Sequence, residues 1–180
     1  MQVNNSQLTL KHVRPINFLF FQTRTRVCDL GRFVGIISRE LHRDAALNDL
    51  EVTGPVYWEY DGFDRGDELK EFTLDIGLPV AELPNEYVGK FRLKRTEPST
   101  CLSMIHYGSW YHLGSSYDHL FQCISENNLT PDNSRREIYI NIDIADPRGN
   151  VTEIQVGVMN DRIEVGQGLN SSRVIHAVEI

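Results

Sequence analysis

One supersecondary unit occurs twice in this chain, about eighty residues apart, and that duplication limits what the chain can fold into more than any other feature. The first occurrence runs Phe18-Leu19-Phe20-Phe21, then Leu30-Gly31, then Pro55-Val56-Tyr57, then Asp75-Ile76-Gly77-Leu78-Pro79-Val80. The second runs Cys101-Leu102-Ser103-Met104, Leu113-Gly114, Glu137-Ile138-Tyr139 and Glu153-Ile154-Gln155-Val156-Gly157-Val158. Leu30 and Leu113 are 83 residues apart, Tyr57 and Tyr139 are 82, and Asp75 and Glu153 are 78. Two copies of one unit predict a single pseudo-twofold-symmetric domain, with a ligand groove at the seam between copies.

Each copy reads as a strand, a helix and two further strands. Residues 16–22 and 100–107 are short, apolar and rich in aromatic or alternating side chains, as strands are. Leu30, Phe33, Val34, Ile37 and Leu41 recur at helical spacing, predicting a helix over 29–47; Leu113, Tyr117, Leu120, Phe121 and Ile124 repeat the stripe in the second copy. Residues 54–60, 72–80, 137–143 and 151–158 complete two βαββ units, an α+β arrangement with helices on one face of a curved, mainly antiparallel sheet. The expected boundaries are repeat one at about 7–80, a connector at 81–99, repeat two at about 100–158 and a C-terminal extension at 159–180. Within that extension, Val174, Ala177, Val178 and Ile180 alternate like an added strand.

The 180 residues carry a net charge of −7, spread evenly rather than in blocks. No basic face stands out that could displace counterions from a nucleic acid, so direct nucleic-acid binding is not expected. The basic clusters Arg92/Lys94/Arg95 and Arg135/Arg136 are flanked by acids and read as solvated turns or strand edges. Three cysteines, Cys28, Cys101 and Cys123, form neither a disulfide framework nor a zinc motif, and a reducing cytoplasm is the expected home. The apolar run at 16–21 is too short to span a membrane or form a signal core. Six histidines show no HxxxH or HExxH spacing, and no P-loop or GxSxG elbow occurs, so neither metal nor cofactor is expected.

Glu153 carries the strongest chemical signal. Alternation sets Glu153 and Gln155 on the strand face opposite Thr152, Ile154 and Val156. A solvent-facing glutamate is the plain reading; the sharper one is a partly desolvated carboxylate that requires a cationic partner. Asp75 is its counterpart in the first copy. Aromatics gather in the same segments: Tyr57, Trp58 and Tyr60, then Tyr107, Trp110, Tyr111, Tyr117 and Tyr139. Most of these rings belong in the core, yet aromatic walls beside a carboxylate suit a flat, lipophilic cation.

The stretches Met104-Ile105-His106-Tyr107-Gly108-Ser109-Trp110-Tyr111-His112-Leu113-Gly114, Arg136-Glu137-Ile138-Tyr139-Ile140, Thr152-Glu153-Ile154-Gln155-Val156 and Gly54-Pro55-Val56-Tyr57 resemble the GyrI-like small-molecule-binding domain. That module is also the effector-binding part of certain AraC-type and MerR-type transcription activators. The resemblance spans about residues 7–158 and implies two βαββ repeats around a central groove. It implies binding of lipophilic, often cationic, small molecules, with Glu153 as the central anion and Trp58, Tyr107 and Tyr139 as aromatic walls. With Trp110 and Asp75 these residues make up the candidate ligand-binding set. Some family members are described as hydrolysing strained electrophilic toxins, which would make Glu153 a general base, and others as antagonising DNA gyrase, which would give the chain a protein partner. Too few residues precede position 7 for the activators' helix-turn-helix, so a free-standing module is expected. A departure from the repeat is Gly157, where the first copy has Pro79.

Overall fold

The structure, a computed structural model, describes residues 8–64 and 66–159 and the backbone of residues 176–179. In chain order its strands are β1 (Thr9–Val13), β2 (Asn17–Thr25), β3 (Val56–Asp61), β4 (Phe72–Pro79), β5 (Arg92–Arg95), β6 (Ser99–Tyr107), β7 (Pro131–Asn141), β8 (Val151–Val158) and β9 (His176–Glu179). Helix α1 (Ile36–Leu47) lies between β2 and β3, and α2 (Leu113–Glu126) between β6 and β7. The chain divides into two units: a continuous one, Pro15–Glu97, and a discontinuous one built from residues up to Arg14 together with those from Pro98 onward.

In the continuous unit the strands run β5-β2-β4-β3, all neighbours antiparallel. In the discontinuous unit they run β7-β8-β6-β1-β9, antiparallel except for the parallel pair β1 and β9. Each unit is α+β and repeats the predicted order of strand, helix, strand, strand. The core of the discontinuous unit packs Leu10, Leu102, Met104, Ile154 and Val156 from the sheet against Tyr117, Leu120, Cys123 and Ile124 of α2. In the continuous unit α1 packs on β2 and β4. Leu19, Leu74, Ile76, Leu78 and Leu41 are there wholly buried.

Three elements differ from the sequence reading. The helix expected over 29–47 is a short 3-10 turn at Val27–Arg32 followed by α1 from Ile36. Gly35 separates them at φ 71°, a left-handed conformation that ends one helix and caps the next. Val34 of the expected stripe is consequently exposed, as is Ile36 at the start of α1. Strand β7 begins six residues before the predicted 137, made irregular by register shifts at both ends. The connector at 81–99 contains β5, whose Arg92, Lys94 and Arg95 are strand residues. Buried Asp44 of α1 anchors the segment leading to β5, accepting hydrogen bonds from the Tyr87 hydroxyl and the Lys90 amide. Burial, then the bond to Asp44, pushes the Tyr87 phenol up to about 12. Of the predicted C-terminal strand, Ala177 and Val178 fall in β9, while Val174 and Ile180 lie outside the described residues.

The repeat boundaries also differ from the unit boundaries. Strand β1 precedes β2 in the chain but pairs with β6. Strand β5 precedes β6 in the chain but pairs with β2. Each unit is therefore one βαββ repeat completed by the short strand that leads into the other repeat.

Candidate functional site

The site in the discontinuous unit is built on β8. Thr152, Ile154 and Val156 are wholly buried, Ile154 and Val156 against α2. Period-two alternation turns Glu153, Gln155 and Gly157 to the sheet face away from that helix. Their register partners there are Ile105, Ser103 and Cys101 on β6, and Cys101 is in turn paired with Lys11 on β1. Glu153 is only 8% exposed, a position that strongly disfavours an uncompensated charge. Lys11 Nζ, Ser103 Oγ and Gln155 Nε2 each donate to its Oε1 at 2.7 Å. No donor reaches Oε2 among the described residues. Burial pushes the Glu153 pKa up, but the bonds from Gln155, Lys11 and Ser103 and the Lys11 charge more than offset it, leaving it below the usual glutamate value of 4.5.

A carboxyl whose folded pKa lies below its unfolded one stabilises the fold above the unfolded value, and that contribution is lost as pH falls through the folded value. The parent protein should accordingly lose stability on acidification below about pH 4.5 more steeply than Glu153→Gln. Urea midpoints measured between pH 6 and 3 check this; parallel curves for the two proteins would contradict it.

The continuous unit holds the same arrangement at the equivalent register. Lys94 is paired with Phe18 and Phe18 with Pro79, four residues after Asp75. Lys11 is likewise paired with Cys101 and Cys101 with Gly157, four residues after Glu153. Lys94 Nζ donates to Asp75 Oδ2 and to Glu59 Oε2, both at 2.6 Å. Asp75 Oδ1 is buried without a donor among the described residues. In place of Ser103 this unit has Phe20, whose ring centre lies 4.7 Å from the Lys94 ammonium, an attraction of the cation to the ring face. Both units thus hold one carboxylate oxygen with a lysine from the exchanged short strand and leave the other oxygen without a donor.

The structure brings together only part of the candidate set. Tyr107 shares the β6 face of Ser103 and Ile105, and is 57% exposed. Tyr139 and Trp110 do not join Glu153: Tyr139 is paired with Thr152, and the indole of Trp110 donates to the Thr152 hydroxyl at 3.1 Å. Their rings meet edge to face at 5.3 Å on the α2 side of the sheet, because Thr152 has the opposite parity to Glu153. Trp58 is likewise turned away from Asp75: it is paired with Ile76 and buried. Tyr57 takes the expected place, on the face of Glu59 and Asp75, with its ring 5.1 Å from that of Phe18. The sequence reading missed Lys11, Lys94 and Ser103. One signal could have found the lysines: they stand 83 residues apart, the same period as Leu30 and Leu113.

No family model and no curated protein matches the sequence. Solved structures do match. The EcmrR C-terminal domain is 22% identical with a TM-score of 0.68, over 86% of this chain and 98% of that one. An uncharacterized conserved protein from Listeria innocua is 15% identical with a TM-score of 0.64, over 86% and 93% of the two chains. SAV2435, solved bound to tetraphenylphosphonium, is 10% identical with a TM-score of 0.57, over 86% and 94%. This chain has the GyrI-like fold.

On this GyrI-like fold the chemistry available at Glu153 is electrostatic. Its carboxylate is ionised and held through Oε1 by three donors, which leaves Oε2 as the oxygen open to a further donor. Cys101 beside it is no nucleophile at neutral pH: burial, with Arg136 and Lys11 opposing and Glu153 assisting, pushes its thiol up to about 12. Among the described residues no group of three or more histidine, cysteine, aspartate or glutamate side chains is placed to hold a metal ion. Among them, too, no helix is long and apolar enough to cross a membrane.

Proposed function

We propose that this chain binds amphipathic, cation-bearing small molecules, taking the ligand's charge on Oε2 of Glu153. The observation that carries the reading is the one-sided coordination of that carboxylate: three donors at 2.7 Å on Oε1 and none on Oε2 among the described residues. An ionised carboxylate oxygen without a donor, on a residue only 8% exposed, is an acceptor awaiting one. Ile105 and Ile138, its register partners on β6 and β7, and Tyr107 supply apolar and aromatic surface on the same face, suited to a lipophilic body around a cationic centre. The shared fold of SAV2435, whose structure holds tetraphenylphosphonium, supports the same ligand class. Such binding serves the sensing or sequestration of toxic lipophilic compounds.

Calorimetric titration with tetraphenylphosphonium tests the proposal. Glu153→Gln keeps a carbonyl oxygen for Lys11, Ser103 and Gln155 but removes the charge, so its affinity should fall by roughly tenfold to a hundredfold, equivalent to about 1.4–2.8 kcal/mol. Equal affinity in parent and variant would sink the electrostatic reading.

A further inference from the structure

We infer that Lys11 is an internal competitor for the ligand's charge, a specificity-determining residue that makes the Glu153 site reject weak cations and accept only those able to tolerate or displace its ammonium. The inference rests on the reading of Glu153 as the ligand's counter-ion. Lys11 Nζ lies 2.7 Å from Oε1, and both side chains are largely buried, at 15% and 11% exposure. A cation seated on Oε2 of the same carboxylate lies only a few ångströms from that ammonium. Two like charges that close, in a site where water screens them poorly, repel strongly enough to change an equilibrium constant by about tenfold or more.

The neighbouring charges do not relieve this repulsion. Arg136 on β7 is paired with Gln155 and its Nη1 reaches the Gln155 amide oxygen at 3.5 Å, adding a second positive group to the face. Asp132, at the start of β7, is the further acid near Cys101, and it accepts hydrogen bonds from the amide and hydroxyl of Ser134. Lys11, Arg136, Glu153 and Asp132 therefore sum to no net charge, although the site contains a buried carboxylate. Strand β1 is paired on both sides, with β6 and β9. Its backbone is thus fixed, and only the flexible lysine stem can move aside. In the continuous unit the register-equivalent Lys94 also contacts the central acid, but it bridges two carboxylates, Asp75 and Glu59. A lysine beside the central acid is common to both repeats, and in the discontinuous unit it has one carboxylate to itself.

Tetraphenylphosphonium affinity at pH 8 decides the matter, measured for the full chain and for Lys11→Met, Lys11→Gln, Lys11→Arg, Glu153→Gln and the double variant Lys11→Met/Glu153→Gln. Lys11→Met and Lys11→Gln should bind about tenfold more tightly than the parent, Lys11→Arg should match it, and the double variant should lose the gain. The methionine preserves the packing of the lysine stem and the glutamine preserves its polarity, so a gain in both follows from the charge. If Glu153→Gln binds weakly as expected but neither neutral Lys11 variant binds more tightly, the proposal is overturned and the role of Glu153 stands. If Glu153→Gln binds like the parent, the underlying reading fails, and the competition fails with it.

Discussion

Replacing Phe18 by alanine is expected to lower the free energy of unfolding by about 3–5 kcal/mol, the usual cost of truncating a fully enclosed aromatic ring. Phe18 has no exposed surface, and it stands on the sheet face opposite Leu19 and its core partner Leu78. The ring lies edge-on to Tyr57, with centres 5.1 Å apart. It also lies flush against the backbone of Gly77, where an added Cβ would come within 2.9 Å of its Cδ1. The Lys94 ammonium is 5.8 Å from its centre. Truncation therefore opens a cavity beside the Lys94–Asp75–Glu59 cluster and removes the apolar cover of those charges. Urea denaturation measures the loss. Gly77→Ala destabilises by crowding the same ring, and in the background of Phe18→Ala it should cost much less, because the atom it collides with is gone. Additive costs in the double variant would count against this packing.

Glu137→Ala is expected to cost about 2–4 kcal/mol, since it removes the acceptor bonded to the buried Tyr117 phenol and to the half-buried Tyr139 phenol, and a lost bond of this kind costs about 1–3 kcal/mol. The Tyr117 hydroxyl donates to Oε1 at 2.9 Å and the Tyr139 hydroxyl to Oε2 at 2.7 Å. Glu137 is 6% exposed, and Tyr117, on α2, is buried as well. Burial and the adjacent Glu137 carboxylate hold the Tyr117 phenol well above the ordinary tyrosine range. A double-mutant cycle with Tyr117→Phe should show a coupling of roughly 1 kcal/mol or more. A loss within roughly 0.5 kcal/mol of the parent, the range of an ordinary surface change, would show that the network contributes nothing to stability. Glu137 and Glu153 are thus two buried glutamates on adjacent strands with separate tasks. One has both oxygens occupied inside the α2-facing core, and the other has one oxygen left open on the opposite face.

What the sequence disclosed and what it withheld follow from the range of the interactions. Period-two alternation along β8 separated Glu153 and Gln155 from Thr152, Ile154 and Val156, because the pleat enforces it locally. The stripe of α2 was equally legible, and Tyr117, Leu120 and Ile124 are the residues it buries. The stripe attributed to α1 failed at Gly35, whose positive φ interrupts a pattern that side-chain hydrophobicity alone continues. The aromatic candidates were decided by register. Tyr139 is paired with Thr152, and a slip of one residue would have set it on the Glu153 face instead. Lys11 was out of reach for a different reason: its partner is 142 residues away, and a five-residue strand ahead of the first apolar run carries almost no local signal. Only the 83-residue spacing to Lys94, itself in a segment read as connector, linked the two lysines.

The exchange of the short leading strands has a consequence for the order in which the chain can fold as it is made. Strands β2, β3, β4 and β5 and helix α1 all lie within residues 17–95, so the continuous unit has its whole sheet once synthesis passes Glu97. Strand β1 is made before any of them, yet its first antiparallel partner is β6, at Ser99–Tyr107. Strand β1 therefore waits for its place until the strands of the other unit's sheet have been made. Glu153, made 142 residues after Lys11, then meets a lysine that has been waiting for it.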